Sequence, residues 1–197
     1  MLPDQRRTAI VEAAIEVARR NGLASTTVRD VAAEMGTSSG LIHHYFGSMD
    51  DVLAEAFERV AGQDLDASAR AMQAAPSPID ALRVFIRGYT PADKDWAFQL
   101  WLDAWAEAAR RPAVQATSRR LNLAWQGLLE GAIAGGVAAG AFVCRDPSGA
   151  AWRILSLLDG LALQVVAHGT TIAREDVVAW STSAAERELG LVEGALR

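Results

Sequence analysis

Residues 27–48 read TVRDVAAEMGTSSGLIHHYFGS, a pattern of two short helical segments with Gly36 between them. A bihelical DNA reader needs a small residue where its helices touch and a turn residue that tolerates positive φ. Ala32 supplies the small contact, and Gly36 supplies the turn. Apolar residues occupy the predicted inner faces of both segments: Val28, Val31, Met35, Ile42, Tyr45 and Phe46. The stretch therefore predicts a helix-turn-helix whose second helix leaves Ser39, Gly40, Leu41, His43 and His44 facing outward.

The starts of these two helices offer a way to hold DNA without a strongly basic surface. Thr27 begins one helix and Ser38 the next, so backbone N–H groups there point at an approaching phosphate. This matters because residues 1–49 carry five arginines and five acids, which cancel, and the net charge of −5 arises from Asp50 onward. We expect DNA binding with only moderate salt dependence.

The motif resembles the TetR family of transcription repressors. The residues that carry the resemblance are 27–36 and 39–48, and Gly40-Leu41-Ile42 with His44-Tyr45-Phe46 are similar to the choline-responsive betaine-synthesis repressors of that family. The resemblance implies that the third helix of the chain enters the major groove, with bases or phosphates contacted by Ser39, Gly40, Leu41, His43 and His44. It also implies that Leu41 meets a thymine methyl group.

Two positions near the motif depart from the family pattern. Thr37 replaces the usual valine of the turn, and Met49 replaces the usual phosphate-contacting lysine. We therefore expect either a lower DNA affinity or a phosphate contact from another residue. Arg6 and Arg7 in the N-terminal arm are candidates for that contact, and the alternative is that they form solvated surface.

Helical periodicity continues to the end of the chain, and no stretch alternates as a strand does. The sequence predicts an all-α fold of about nine helices. Three short helices, near 5–21, 27–35 and 38–45, form a head, and a fourth from Ser48 to about Met72 joins it to a body. We expect a DNA-binding domain at 1–47 and a ligand-binding and dimerisation domain at 48–197. Breaks between helices are predicted at 21–22, 36–38, 47–48, 76–78, 90–91, 111–112, 146–147 and 169–171.

The predicted body carries aromatic stripes, and all six tryptophans of the chain lie after residue 95. A regulated DNA reader needs a second site whose occupancy changes the first. We predict a binding site for a small-molecule effector of unknown identity. Its lining residues are Phe85, Tyr89, Phe98, Trp101, Trp105, Trp125 and Leu128. Taken singly, each of these residues also fits ordinary core packing.

Indole rings can cage a quaternary ammonium group by cation–π contact. The resemblance to the choline-responsive group makes such a ligand one candidate for the effector. Asp103 and Asp159 are suited to neutralising its charge, with a solvent-facing acid and a helix-packing contact as the respective alternatives.

The last two predicted helices, about 147–168 and 173–193, also have apolar stripes. In the family these helices form the dimer interface, which implies an interface built from Ile154, Leu157, Leu158, Leu161, Val165, Val177 and Trp180. A two-fold dimer would place two reading helices one DNA turn, ~34 Å, apart on a palindromic operator. The alternative is that these stripes close the core of a single chain.

Other function classes receive less support from the sequence. Cys144 is the only cysteine, the three histidines lack ligand spacing, and adjacent His43 and His44 diverge by about 100° on a helix, so we predict no metal and no cofactor. The sequence contains no nucleophile–base pair and no phosphate-binding glycine loop, so we predict that the protein is not an enzyme. The longest apolar run, 132–143, is too short and glycine-rich for a membrane span, and no signal peptide opens the chain, so we expect a cytoplasmic protein. Two alternative functions stay open. The protein could activate transcription instead of repressing it, or it could be a helical small-molecule carrier whose head does not read DNA.

Overall fold

The computed structural model describes residues 3–89 and 95–197, which form nine helices and no strand. The predicted all-α fold is confirmed. The predicted break at Thr90-Pro91 lies outside the described residues, and the other breaks fall at or between helix ends. The helices are α1 (Pro3–Asn21), α2 (Val28–Glu34), α3 (Ser39–Tyr45), α4 (Met49–Gln73), α5 (Pro78–Arg87), α6 (Asp95–Ala108), α7 (Pro112–Ala138), α8 (Pro147–Val166) and α9 (Arg174–Glu188).

Capping side chains start several of these helices next to breaks that the sequence predicts. The Ser77 hydroxyl accepts a hydrogen bond from the Asp80 amide at 3.1 Å, and Pro78 occupies the first turn. The Asp146 carboxylate accepts one from the Gly149 amide at 3.0 Å ahead of α8. Each cap satisfies a backbone donor that the first helical turn leaves unpaired. Local chemistry therefore sets these boundaries.

The chain forms two compact units, Met1–Gln63 with Trp96–Leu121 (unit 1) and Asp64–Asp95 with Asn122–Arg197 (unit 2). Unit 1 contains two hydrophobic clusters. The first joins α1, α2, α3 and the start of α4, and the second joins the end of α1, the middle of α4, α6 and the start of α7. The division by packing thus differs from the functional division expected at residue 47, and that functional division stays a prediction.

Unit 2 contains α5, α8, α9 and the later parts of α4 and α7. Helix α9 packs along α8 and also contacts α5. Among the described helices, α8 alone has the length and hydropathy of a membrane span. Its residues Ile154, Leu155 and Leu158 are buried in the unit. Packing inside unit 2 accounts for this apolar face of α8 without a membrane.

Candidate DNA interface and effector site

The turn between α2 and α3 has the geometry that a helix-turn-helix requires. Gly36 has φ +61°. The Thr37 amide donates to the Ala32 carbonyl at 2.9 Å and the Gly36 amide to the Ala33 carbonyl at 3.1 Å, which closes the end of α2 as a Schellman motif. Ala32 is buried where the helices meet. The predicted roles of Ala32 and Gly36 in the motif are confirmed.

Helix α3 has one buried face and one open face. Ile42 and Phe46 are only 1% and 3% exposed, and they pack in one cluster with Ile10, Val11 and Val31. The opposite side carries the five residues that the sequence leaves facing outward, which we call the reading face: Ser39, Gly40, Leu41, His43 and His44. Gly40, His43 and His44 are exposed, and Ser39 and Leu41 are half-buried.

The two helix starts differ in how much of their hydrogen-bonding capacity is already used. The Thr27 hydroxyl donates to the Asp30 carboxylate at 2.6 Å, and the Thr27 amide donates to the same oxygen at 3.0 Å. These hydrogen bonds lower the pKa of Asp30. An anionic side chain therefore already occupies the start of α2. Ser38, by contrast, is exposed and makes no capping hydrogen bond at the start of α3.

The structure separates the two arginines of the N-terminal arm. The Arg7 guanidinium donates to the Tyr45 carbonyl at 2.9 Å, forms an ion pair with Glu55 and lies over the Phe46 ring. Arg6 forms no ion pair with any residue in 3–89 or 95–197. Arg7 is therefore held by contacts with α3 and α4, and Arg6 keeps its charge available for solvent or phosphate.

Met49, the first residue of α4, lies where the family pattern has a lysine. Its side chain is half-buried and packs against both hydrophobic clusters of unit 1. A lysine ammonium could not be buried there without losing hydration. The structure thus gives Met49 a packing role, which the sequence pattern did not reveal.

An aromatic cluster of Phe85, Tyr89 and Trp125 lies in unit 2. Its ring centroids are separated by 5.9 Å between Phe85 and Trp125, 6.3 Å between Phe85 and Tyr89, and 6.5 Å between Tyr89 and Trp125. The rings are tilted or edge-to-face, which is a favourable aromatic geometry. Leu128 follows Trp125 by one helical turn on α7 and is half-buried.

A carboxylate completes this aromatic cluster. The Tyr89 hydroxyl donates a hydrogen bond to Asp159 on α8. Burial raises the pKa of Asp159 to about 6, although the hydrogen bond from Tyr89 opposes this rise. Burial and the nearby acids Asp159 and Asp64 raise the pKa of Tyr89. Desolvation therefore disfavours the charged form of Asp159, so an incoming cation would stabilise it.

The three predicted ligand residues on α6 lie in unit 1. Trp101 packs edge-on against Phe57 with ring centroids 4.8 Å apart, and it borders the second hydrophobic cluster. Trp105 lies 5.7 Å from Trp101 and 6.2 Å from Phe98 between centroids. Trp101 therefore packs against the hydrophobic core of unit 1, which was the alternative to a ligand contact. A ligand role for Phe98 and Trp105 stays a prediction.

Asp103 makes a contact that the sequence did not indicate. Its carboxylate accepts a hydrogen bond from the Leu23 amide at 2.9 Å and another from Gln99 at 3.1 Å. Leu23 follows Gly22, whose φ of +80° ends α1. Asp103 therefore anchors the turn after α1 to α6 within unit 1, and its role as a counter-ion for the effector stays a prediction.

The predicted dimer residues divide by burial. Ile154, Leu158 and Val177 are buried in the core of unit 2 itself. Their burial fits the alternative of core packing within one chain, and their role at a dimer interface stays a prediction. Leu157, Leu161 and Val165 are half-buried, whereas Trp180 is 49% exposed. Trp152, which the sequence stripes did not include, is 36% exposed on α8.

Two segments of the chain match known families. Residues 10–56 match the family described as bacterial regulatory proteins, tetR family, and residues 78–190 match the one described as BetI-type transcriptional repressor, C-terminal. The HTH-type transcriptional regulator BetI of Rhizobium meliloti is 33% identical over 112 residues, covering 56% of this chain and 55% of that protein. BetI 1 of Chromohalobacter salexigens is 32% identical over 123 residues, covering 61% and 60%. The chain thus spans less than two thirds of these relatives.

Solved structures share the fold over nearly the whole chain. A transcriptional regulator from Pseudomonas aeruginosa PAO1 superposes with a TM-score of 0.82 at 26% identity, covering 100% of this chain and 95% of that one. A regulator from Saccharomonospora viridis, solved in complex with choline, superposes with a TM-score of 0.82 at 24% identity, covering 94% and 98%. The second likeness supports the fold alone.

Proposed function

Because this chain belongs to the tetR family of bacterial regulatory proteins and has a BetI-type C-terminal region, we propose that it is a ligand-responsive repressor that binds a palindromic operator as a homodimer. The observation that carries the proposal is the orientation of α3. Ile42 and Phe46 anchor its inner side, while the reading face stays at the surface. We place the protein in the cytoplasm, where DNA is accessible.

The reading face has the chemistry to recognise base edges in the major groove. Imidazole nitrogens of His43 and His44 can donate to or accept from bases and phosphates, and the Leu41 side chain can meet a thymine methyl group. Gly40 allows the backbone to approach DNA closely, since it has no side chain. Ser38 and Ser39 add hydroxyls at the start of the helix, where phosphate contacts fix orientation. One α3 makes few contacts, so two copies are needed for a specific site.

The exposed apolar surface of α8 and α9 supports dimerisation. Trp152 and Trp180 are large aromatic side chains at the surface, and aromatic residues are enriched at protein interfaces. Leu157, Leu161 and Val165 are half-buried, and helical spacing places them on another side of α8 from Trp152. We propose that the exposed and half-buried apolar side chains of α8 and α9 meet the partner, and that the buried Ile154, Leu158 and Val177 support them from the core. A two-fold axis there makes the operator palindromic, with half-sites ~34 Å apart.

The aromatic cluster and Asp159 support an organic cation as effector. Aromatic faces attract quaternary ammonium groups, and the attraction grows when both are desolvated. Asp159 adds a carboxylate that lacks a cationic partner among the residues that the structure describes. The choline in the S. viridis regulator has this chemistry. We propose that a choline-like cation binds here and favours the conformation that releases DNA, since a ligand shifts an equilibrium only by binding two states unequally.

Selection from a random duplex library by the purified chain tests the function directly. We expect enrichment of a palindrome at low salt, with two chains bound per selected site by light scattering. A thermal-shift screen of choline and other quaternary amines, with their neutral carbon isosteres as controls, then identifies a cation that stabilises the protein and releases the selected DNA. Failure to enrich any sequence contradicts the proposal, and cation binding without DNA selection would favour the helical carrier.

A further inference from the structure

Arg7 lies on α1 but makes its contacts around the C-terminal end of α3. One guanidinium nitrogen donates to the Tyr45 carbonyl at 2.9 Å, and Nε donates to the Glu55 carboxylate at 3.3 Å. The third nitrogen, Nη2, forms an ion pair with the same carboxylate. The guanidinium carbon lies 4.1 Å from the ring centroid of Phe46. A single side chain thus joins α1, the end of α3 and α4.

Made together, these contacts suit a guanidinium better than an ammonium. Tyr45 is the last residue of α3, so its carbonyl has no partner inside the helix and lies at the negative end of the helix dipole. The planar guanidinium can donate to this carbonyl, donate to Glu55 in another direction and stack on Phe46 at the same time. A lysine at position 7 would keep the charge but lose the stacking and the divergent hydrogen bonds.

The geometry points to Arg7 as a positioning residue for DNA recognition, which acts by fixing the end of α3 and makes no contact with phosphate. This inference rests on the proposed function of α3. Helix α3 has only seven residues, and a helix that short depends on tertiary contacts for its conformation. Ile42 and Phe46 fix the inner side of α3, and Arg7 fixes its C-terminal end through the Tyr45 carbonyl and the Phe46 ring.

Partial exposure determines what kind of effect Arg7 has. The Arg7 and Glu55 side chains are 44% and 29% exposed, so water and salt screen their attraction. The ion pair therefore adds little to the overall free energy of unfolding. Its role is to define the direction of the reading face, on which discrimination between DNA sequences depends.

A phosphate contact and a positioning contact predict different binding data. Loss of a phosphate contact weakens binding to all duplexes and reduces the slope of log affinity against log salt by about one. Loss of a positioning contact weakens binding to the selected operator, leaves random duplex binding unchanged and keeps the salt slope.

The test uses the full chain and compares Arg7→Ala, Arg7→Lys, Arg6→Ala and Glu55→Ala with the parent across a salt series. We expect Arg7→Ala and Arg7→Lys to lower the ratio of operator to random-duplex affinity about tenfold, the size of one charge-assisted hydrogen bond. We expect Arg6→Ala, the matched neighbour, to leave that ratio unchanged.

Glu55→Ala distinguishes the two roles by its effect on the ratio of operator to random-duplex affinity. If Arg7 positions α3, removal of Glu55 lowers this ratio. If Arg7 acts on phosphate, removal of Glu55 frees the guanidinium and strengthens binding to every duplex. An unchanged ratio of operator to random-duplex affinity in Glu55→Ala, or full rescue of operator binding in Arg7→Lys, overturns the inference.

Amide hydrogen exchange of the free protein tests the same contact without DNA. In Arg7→Ala we expect faster exchange confined to the end of α3, including the Phe46 amide that donates to the Ile42 carbonyl at 3.0 Å. Unchanged exchange there overturns the inference. If the parent chain selects no DNA, the proposed function fails, and the exchange result still decides whether Arg7 anchors α3.

Discussion

Helix α3 and the aromatic cluster of unit 2 hold their functional side chains in opposite surroundings. In α3 the reading face is open to solvent, and Ile42 is the buried residue of the helix. In the aromatic cluster, Phe85 and Trp125 are buried, and burial raises the pKa of Asp159. Changes to a surface side chain affect folding little, whereas changes to a buried group alter stability and function together. Stability and binding measured on the same variants therefore test whether α3 and the aromatic cluster differ in this way.

The largest effect is expected for Ile42→Ala. This substitution removes a fully buried side chain from the cluster that holds α1, α2 and α3 together, so the free energy of unfolding should fall by about 2–5 kcal/mol. Urea denaturation measures this loss. Leu41→Ala is the matched control, because it shortens a neighbouring half-buried side chain on the reading face. An equal loss for both variants would contradict the assignment of an inner and an outer side.

The double variant His43→Ala, His44→Ala should weaken DNA binding without lowering stability, the opposite of what is expected for Ile42→Ala. Both imidazoles are exposed, and one good base contact contributes about 1–3 kcal/mol of discrimination. We expect operator affinity to fall about 100-fold, with a thermal midpoint close to that of the parent. Fluorescence anisotropy and thermal unfolding provide the two measurements, and Arg119→Ala serves as a control on α7. Retained operator affinity would exclude these histidines from the reading face.

The features that could be predicted from the sequence depend on neighbouring residues. Gly36 must have a positive φ, and Ser77-Pro78 and Asp146-Pro147 begin helices because cap and proline act within one turn. The inner and outer sides of α3 also follow from helical spacing. These features need no knowledge of distant parts of the chain.

The features that were missed depend on contacts between residues far apart in the chain. Arg7 reaches Tyr45 and Glu55, and Asp103 reaches the Leu23 amide. No local pattern indicates such pairs. The stripes of α8 show the same limit, because periodicity identifies an apolar side without deciding between the core, where Leu158 lies, and the surface.

Asp159→Asn should make the protein more stable and its effector binding weaker. Because burial raises the folded-state pKa of Asp159 from 3.8 to about 6, the folded chain binds the proton more tightly than the unfolded chain. Stability from this group therefore rises as the pH falls from above 6 toward 4. Asparagine removes the buried charge, so at neutral pH we expect a gain on the order of 2 kcal/mol. Urea denaturation as a function of pH measures it.

The affinity for an organic cation should fall as the pH is lowered, whereas the stability contributed by Asp159 rises. Protonation of Asp159 removes the negative charge, so cation affinity should fall as the pH is lowered through about 6. Asp159→Asn should bind the cation about tenfold more weakly, a loss of ~1.4 kcal/mol, and lose this pH dependence. Titration calorimetry at several pH values measures both. A pH-independent affinity in the parent chain would place the cation elsewhere.

The smallest effects should distinguish the two helix starts. Thr27→Ala removes a reciprocal cap that already uses the Asp30 carboxylate, so the free energy of unfolding should fall by about 1 kcal/mol. Ser38 makes no capping hydrogen bond, so Ser38→Ala should leave stability unchanged and reduce DNA affinity a few-fold. Thermal unfolding and anisotropy on both variants test this contrast. If Thr27→Ala instead weakens DNA binding at unchanged stability, the start of α2 contacts phosphate despite the carboxylate beside it, and Asp30 must then move away when DNA binds.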